Sequence, residues 1–231
     1  VSEPAPGPVA ADDPGYTAGA VDLLGVLAYG ELTAFDRLAE DARLAPSLAD
    51  KVHMVAMAST QFEHFRLIEA RLAELGTDVM TAMRPFHRPF DSFHAHTAPN
   101  SWLEGLVKAY VGDGFAADFY REIAAFVDER TRAVVDEVLA EDAQAAFVVD
   151  RVRAGIAADP DVAGRLALWG RRLVGEALSQ AQRVAADRDA LTGLLTGTDE
   201  RPGMDLAAAS RMFSRLVEKH AARMSDLGLQ A

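Results

Sequence analysis

Residues 19–41 read GAVDLLGVLAYGELTAFDRLAED. Leu24, Leu27, Glu31, Phe35 and Leu38 recur at three- and four-residue spacing, the face of an α-helix rather than the alternate residues of a strand. The stripe is apolar except at Glu31, which periodicity alone turns inward. An unpaired buried carboxylate is costly, so another helix is expected to supply a partner.

The next segment offers one. Ser47 is a suitable N-cap after Pro46, and the apolar period runs to Leu75, where Gly76 stops it. Within it, Gln61-Phe62-Glu63-His64 puts Gln61 and His64 on the stripe of Met57, Ile68 and Leu75. Glu63 turns toward Ser59, Arg66 and Ala70 and is expected in solvent, paired with Arg66. A short turn thus joins two antiparallel helices that present a carboxylate and an imidazole to one interior.

Gly76 to Asn100, with Pro85, Pro89 and Pro99, reads as a long non-helical crossover that carries the chain back along a bundle. Ser101 caps a third helix with Leu106, Tyr110, Asp113, Ala117 and Tyr120 on one stripe. Asp118, on a less apolar face beside Glu122, competes with Asp113. Helical character continues to Ala158, with a break near Glu129 or Glu141, and Asp159-Pro160 ends it. A further helix is expected from Asp161 to about Leu194, then a polar turn over Thr196 to Gly203 and a last amphipathic helix from Asp205 to Leu227. For a fourth inward acid the sequence offers Glu141, with Gln144 three residues on, or Glu176, with Ser179 three residues on. The fold class is all-α: an antiparallel four-helix bundle with a long crossover after helix 2 and extra C-terminal helices. Residues 18–231 are expected to form one domain, preceded by a tail over 1–17.

Composition narrows the chemistry. Half of the 231 residues are hydrophobic, enough for a sizeable core. With no cysteine, disulfides and thiolate ligation are excluded, so any metal must be held by carboxylates and imidazoles, which suits iron or manganese and also admits zinc. The net charge of −12, from 35 acids against 23 bases, offers no net attraction for phosphates, and nucleic-acid binding is not favoured. Residues 1–17 lack a basic start and an apolar run, so a solvated tail is expected rather than a secretory signal. No run approaches about 20 uninterrupted apolar residues, so no membrane span and a cytoplasmic location are expected. Lys51, Lys108 and Lys219 are the only lysines.

Other clusters are weaker. His87, Asp91, His94 and His96 crowd the crossover, where His94-x-His96 could chelate a metal. His53 and His220 stand alone, and Arg165, Arg171, Arg172, Arg183 and Arg188 are expected to pair with nearby acids. There is no Gly-rich phosphate loop and no Ser–His–Asp arrangement.

Gly30-Glu31-Leu32, Gln61 to His64, Asp113 to Tyr120 and the stretch Arg165 to Leu173 together resemble the ferritin-like superfamily. The branch most similar is that of the tRNA isopentenyl-adenosine hydroxylase, over roughly Gly19 to Leu194. The resemblance implies two irons held by one Glu on each of two helices and a Glu-x-x-His on each of the other two. It also implies dioxygen activation and hydroxylation of an isopentenyl group on a tRNA base. The corresponding set here is Glu31, Gln61, His64, Asp113 and Glu141. Gln61 stands where the acid of the first Glu-x-x-His is expected, and Gln144 where the second histidine is expected. A neutral amide removes one negative charge from a set that must balance two cations. Three readings result. One is an oxygen-dependent hydroxylase or oxidase with two metals. Another is a single iron or manganese ion on Glu31, His64 and Asp113. The third is a metal-free polar core in a non-enzymatic module, a homodimer packed through a late helix. The small-molecule substrate is left open.

Overall fold

The computed structural model describes residues 14–140, 144–198 and 201–231. Four long helical rods dominate. Helix α1 (Pro14–Asp41) turns through a short 3-10 segment (Ala42–Leu44) into the antiparallel α2 (Leu48–Glu74), and this pair packs along its length. Ser47 caps α2 as expected: its hydroxyl accepts from Asp50 N, and Gly76, at φ 71°, ends the helix in the left-handed conformation glycine tolerates. The third rod is α5 (Trp102–Val107), a π-helical turn (Lys108–Gly112) and α6 (Asp113–Ala124), and the fourth is α9 (Val162–Asp187).

Around these lie α7 (Glu129–Val138), α8 (Gln144–Ala158), α10 (Asp189–Thr196) and α11 (Leu206–Asp226). A two-residue antiparallel pair, β1 (Gly197–Thr198) with β2 (Arg201–Pro202), connects the last two.

Two sequence expectations are corrected. Helix α1 begins at Pro14, within the expected tail, because Tyr16 is buried and its hydroxyl donates to Asp128 at 2.8 Å. The crossover is not irregular. It folds into α3 (Val79–Met83), a 3-10 turn (Arg84–Phe86) and α4 (His87–His96), with Pro85 and Pro89 in first turns, where no backbone N–H is needed, and Pro99 in the loop that follows. The break expected near Glu129 falls over residues 125–128, between α6 and α7, and Asp128 caps α7 by accepting from Thr131 N at 3.0 Å. Gly25 lets α3 in, since a side chain there would run into the Ala82 carbonyl.

The core is divided. One cluster joins Leu23, Leu24 and Leu27 of α1 to Ile68 and Leu72 of α2, Ile123 of α6 and Leu194 of α10. A second joins Leu38 of α1 to Met54 and Met57 of α2, Leu106 and Val111 of the third rod, and Leu173 of α9. On every rod the residues between the two clusters include polar ones: Glu31, Gln61 with His64, Asp113, and Gln180. Mid-height in the bundle is therefore where the apolar packing stops.

Buried polar groups away from that level are paired. Arg71, on α2, donates to Thr131 and Asp128, and Asp128 also accepts from Tyr16. Burial acts to raise the Asp128 carboxyl, but the hydrogen bonds from Thr131 and Tyr16 and the Arg71 charge outweigh it and bring it to about 2. Helix α1 is long and apolar enough to cross a membrane by composition; Leu23, Leu24 and Leu27 face the core, and Asp22 is paired with Arg188.

Candidate functional site

A cavity of about 820 Å³ opens at mid-height, between the α1–α2 pair and the α6–α9 side of the bundle. Most of its wall is apolar, supplied by side chains such as Leu27, Phe90, Ala117 and Val184. Its polar residues include Glu31, Gln61, His64, His94, Lys108 and Asp113.

Glu31 and His64 do converge: Oε2 lies 3.5 Å from Nδ1, an ion-pair separation. Burial raises the Glu31 carboxyl above its usual range, and the neighbouring imidazole only partly offsets this. Gln61 lines the same cavity one turn away. Asp113 faces it from the third rod. Its side chain is exposed where it lines the cavity, and the bundle around it nonetheless withholds enough bulk water to raise the carboxyl, despite the opposing charge of Lys108. Tyr120, also on the wall, is raised by burial and by the Glu31 charge.

The other expected residues lie elsewhere. Asp118 is buried and neutralised by Arg121 at 3.0 Å, Lys219 at 3.0 Å and Arg223 at 2.6 Å, so it ties α11 to α6. Glu176 turns to α4: its Oε1 accepts from Gln180 at 2.7 Å and stands 3.4 Å from His96 Nδ1. Glu141 lies outside the described residues. Glu63 is exposed, and Arg66 pairs with Glu69 at 3.6 Å in its place. His94 and His96, two apart on a helix, point in different directions, so they cannot chelate one ion: His94 faces the cavity and His96 faces Glu176.

Lys108 and Asp41 were not expected at the site, and His94 was expected only as half of a chelating pair with His96. Lys108 is buried; its Nζ donates to Thr97 O at 2.8 Å and to His94 Nδ1 at 3.0 Å, and it lies 5.4 Å from the Phe93 ring centre. An ammonium can only donate, so Nδ1 must accept and the proton of the neutral imidazole sits on Nε2. That nitrogen is buried and has no hydrogen-bond partner among the described residues. Burial, then the Lys108 and Arg37 charges, push His94 down to about 3. Burial lowers the Lys108 amine, against the pull of Asp113 and Asp41, and raises the Asp41 carboxyl.

The π-turn explains why Lys108 was missed. Asp113 N donates to Lys108 O, an i to i+5 bond, and the extra residue brings positions 108 and 113 toward one side. In a regular α-helix five residues turn the side chain by about 140° away from the first. The legible signal was a lone lysine in an otherwise apolar turn, Leu106 to Val111.

The fold and the mid-height site define a ferritin-like helical protein. A family model described as a ferritin-like domain of actinomycetes matches residues 14–198, and the chain belongs to that family. No curated protein matches the chain.

The metal pair implied by the resemblance does not fit the residues present. Two divalent ions call for four carboxylates and two imidazoles. Among the described residues, no three of His, Asp and Glu are grouped closely enough to hold an ion. Glu31 and His64 form a pair, Gln61 contributes a neutral amide, and the third rod brings the ammonium of Lys108 to the level of its acid.

Proposed function

We propose that this domain encloses a small, largely apolar molecule in its mid-height cavity and does not work as a two-iron oxygenase. The cavity carries the reading. Its volume is about 820 Å³ and most of its wall is apolar. Water is a poor filler against an apolar wall. The volume lies within the range of sites that hold drug-sized ligands, and a few convergent polar groups on an apolar wall are what orients such molecules. The polar pair Glu31–His64 then serves as one such group, on the same wall as Gln61.

Titration with the apolar fluorophore N-phenyl-1-naphthylamine tests this directly. The expected result is saturable binding of about one equivalent, with thermal stabilisation, and loss of both when Ala117→Trp or Ala181→Trp fills the space. Saturable binding that both variants retain would overturn the reading, as would no binding at all. Purification from iron- and manganese-supplemented cells supplies the contrary result: a stoichiometric metal lost on Glu31→Ala or His64→Ala would replace this reading with the metal one.

A further inference from the structure

We propose that Lys108 is a nucleophilic amine that captures aliphatic aldehydes in the cavity as an imine. The inference rests on the ligand-binding reading above and names the class of molecule.

The first observation is how the amine is held. Among the described residues, its hydrogen-bond partners are two neutral acceptors, Thr97 O and His94 Nδ1, and no carboxylate lies within ion-pair distance. A buried ammonium is ordinarily paired with an acid. Lys219, which also lines the cavity, is held that way, 3.0 Å from Asp118. Lys108 is not, so its free-amine form costs little, and burial shifts it in the same direction.

The second observation is what surrounds it. Asp41, Asp113 and Glu31 line the same cavity. Three acids disfavour a carboxylate or phosphate headgroup beside the lysine, whereas a neutral carbonyl meets no such repulsion. Arg37 cannot reverse this, since its guanidinium is engaged by Asp36 and Glu40. The apolar wall accepts an alkyl chain. A neutral carbonyl on an alkyl chain, facing an amine, is an aldehyde or ketone, and the aldehyde is the less hindered.

The chemistry balances without a further reactant. The ammonium first gives one proton to cavity water. The nitrogen lone pair then adds to the carbonyl carbon, and the carbonyl π electrons move to oxygen, which takes a proton. The nitrogen loses one proton to water, which restores its lone pair. That lone pair then forms the C=N bond as the hydroxyl, protonated by Asp113 on the same side of the π-turn, leaves as water. Return of the remaining N–H proton to the Asp113 carboxylate leaves the neutral imine. Nothing is oxidised or reduced.

The full chain incubated with decanal and sodium cyanoborohydride, then digested and mapped by mass spectrometry, tests the inference. Only three lysines and the terminal amine compete, with Lys51 exposed as the internal reference. The expected result is a single decyl group on Lys108, formed at least about tenfold faster than on Lys51 because a lowered amine is more often unprotonated at pH 7. Excess N-phenyl-1-naphthylamine should suppress it. Lys108→Arg and Lys108→Met should remove the adduct while keeping cooperative thermal unfolding by circular dichroism, which shows that they fold. Labelling of Lys108 no faster than Lys51, with naphthylamine still bound, overturns the amine and leaves the cavity reading standing. Loss of naphthylamine binding in the unmodified protein overturns both.

Discussion

At the scale of single residues, Glu31 shows what a mid-height carboxyl costs. Its burial raises the carboxyl, and the His64 imidazole at 3.5 Å compensates only in part. An acid whose folded value lies above its unfolded value adds stability below the unfolded value, near pH 4.5, and that stability is lost as pH rises through the folded value. At pH 7 the charge therefore works against folding. Glu31→Gln should raise the urea midpoint at pH 7, with the difference closing below pH 4. A less stable variant at pH 7 would mean that the carboxylate is fully compensated in the native protein. Glu31 and His64 were both legible from period alone, because each interrupts an otherwise apolar stripe. Glu176 misled for the same reason: its stripe is apolar, but a helical side chain near the stripe's edge can turn to a neighbour, and α4, where an irregular crossover was expected, supplied His96.

At the scale of elements, the π-turn over Lys108–Gly112 governs the site. One inserted residue brings Lys108 and Asp113 toward one side and breaks the period on which the third stripe was read. Deleting Ala109 should restore a regular helix and swing positions 108 and 113 apart. Helical content by circular dichroism should be unchanged, while naphthylamine affinity falls at least about tenfold, or roughly 1.4 kcal/mol. Unaltered affinity would show that the turn is incidental to the cavity. The crossover helices carry a related lesson. Pro85 and Pro89 were read as breakers, yet each falls in the first turn of its own short helix, where the missing N–H has no helical partner to lose. A local breaker signal fixes where helices start and stop, not whether a segment is helical.

For the whole molecule, α11 lies beyond the residues matched by the family model, yet it completes the core. Met212, Leu216, Met224, Leu227 and Leu229 are buried, and Lys219 and Arg223 cap Asp118. At about 2 kcal/mol for each buried side chain, its removal withdraws on the order of 10 kcal/mol as an upper estimate, comparable to an entire domain's stability. Truncation after Gly203 should abolish cooperative thermal unfolding, followed by circular dichroism, even though the family-matched region is intact. A truncated chain that melts cooperatively near the full-length temperature would make α11 an accessory.

The sequence by itself determined that the chain is helical, where α2 begins and ends, and that Glu31 and His64 point inward, because periodicity and capping are local properties of consecutive residues. The tertiary structure alone decided that the two apolar clusters fail to meet, that a cavity lies between them, and that Lys108 and His94 meet at its wall. Those facts depend on how far apart packed helices sit and on a single added residue in one turn, and neither distance nor register over a π-turn is written in a 3.6-residue period.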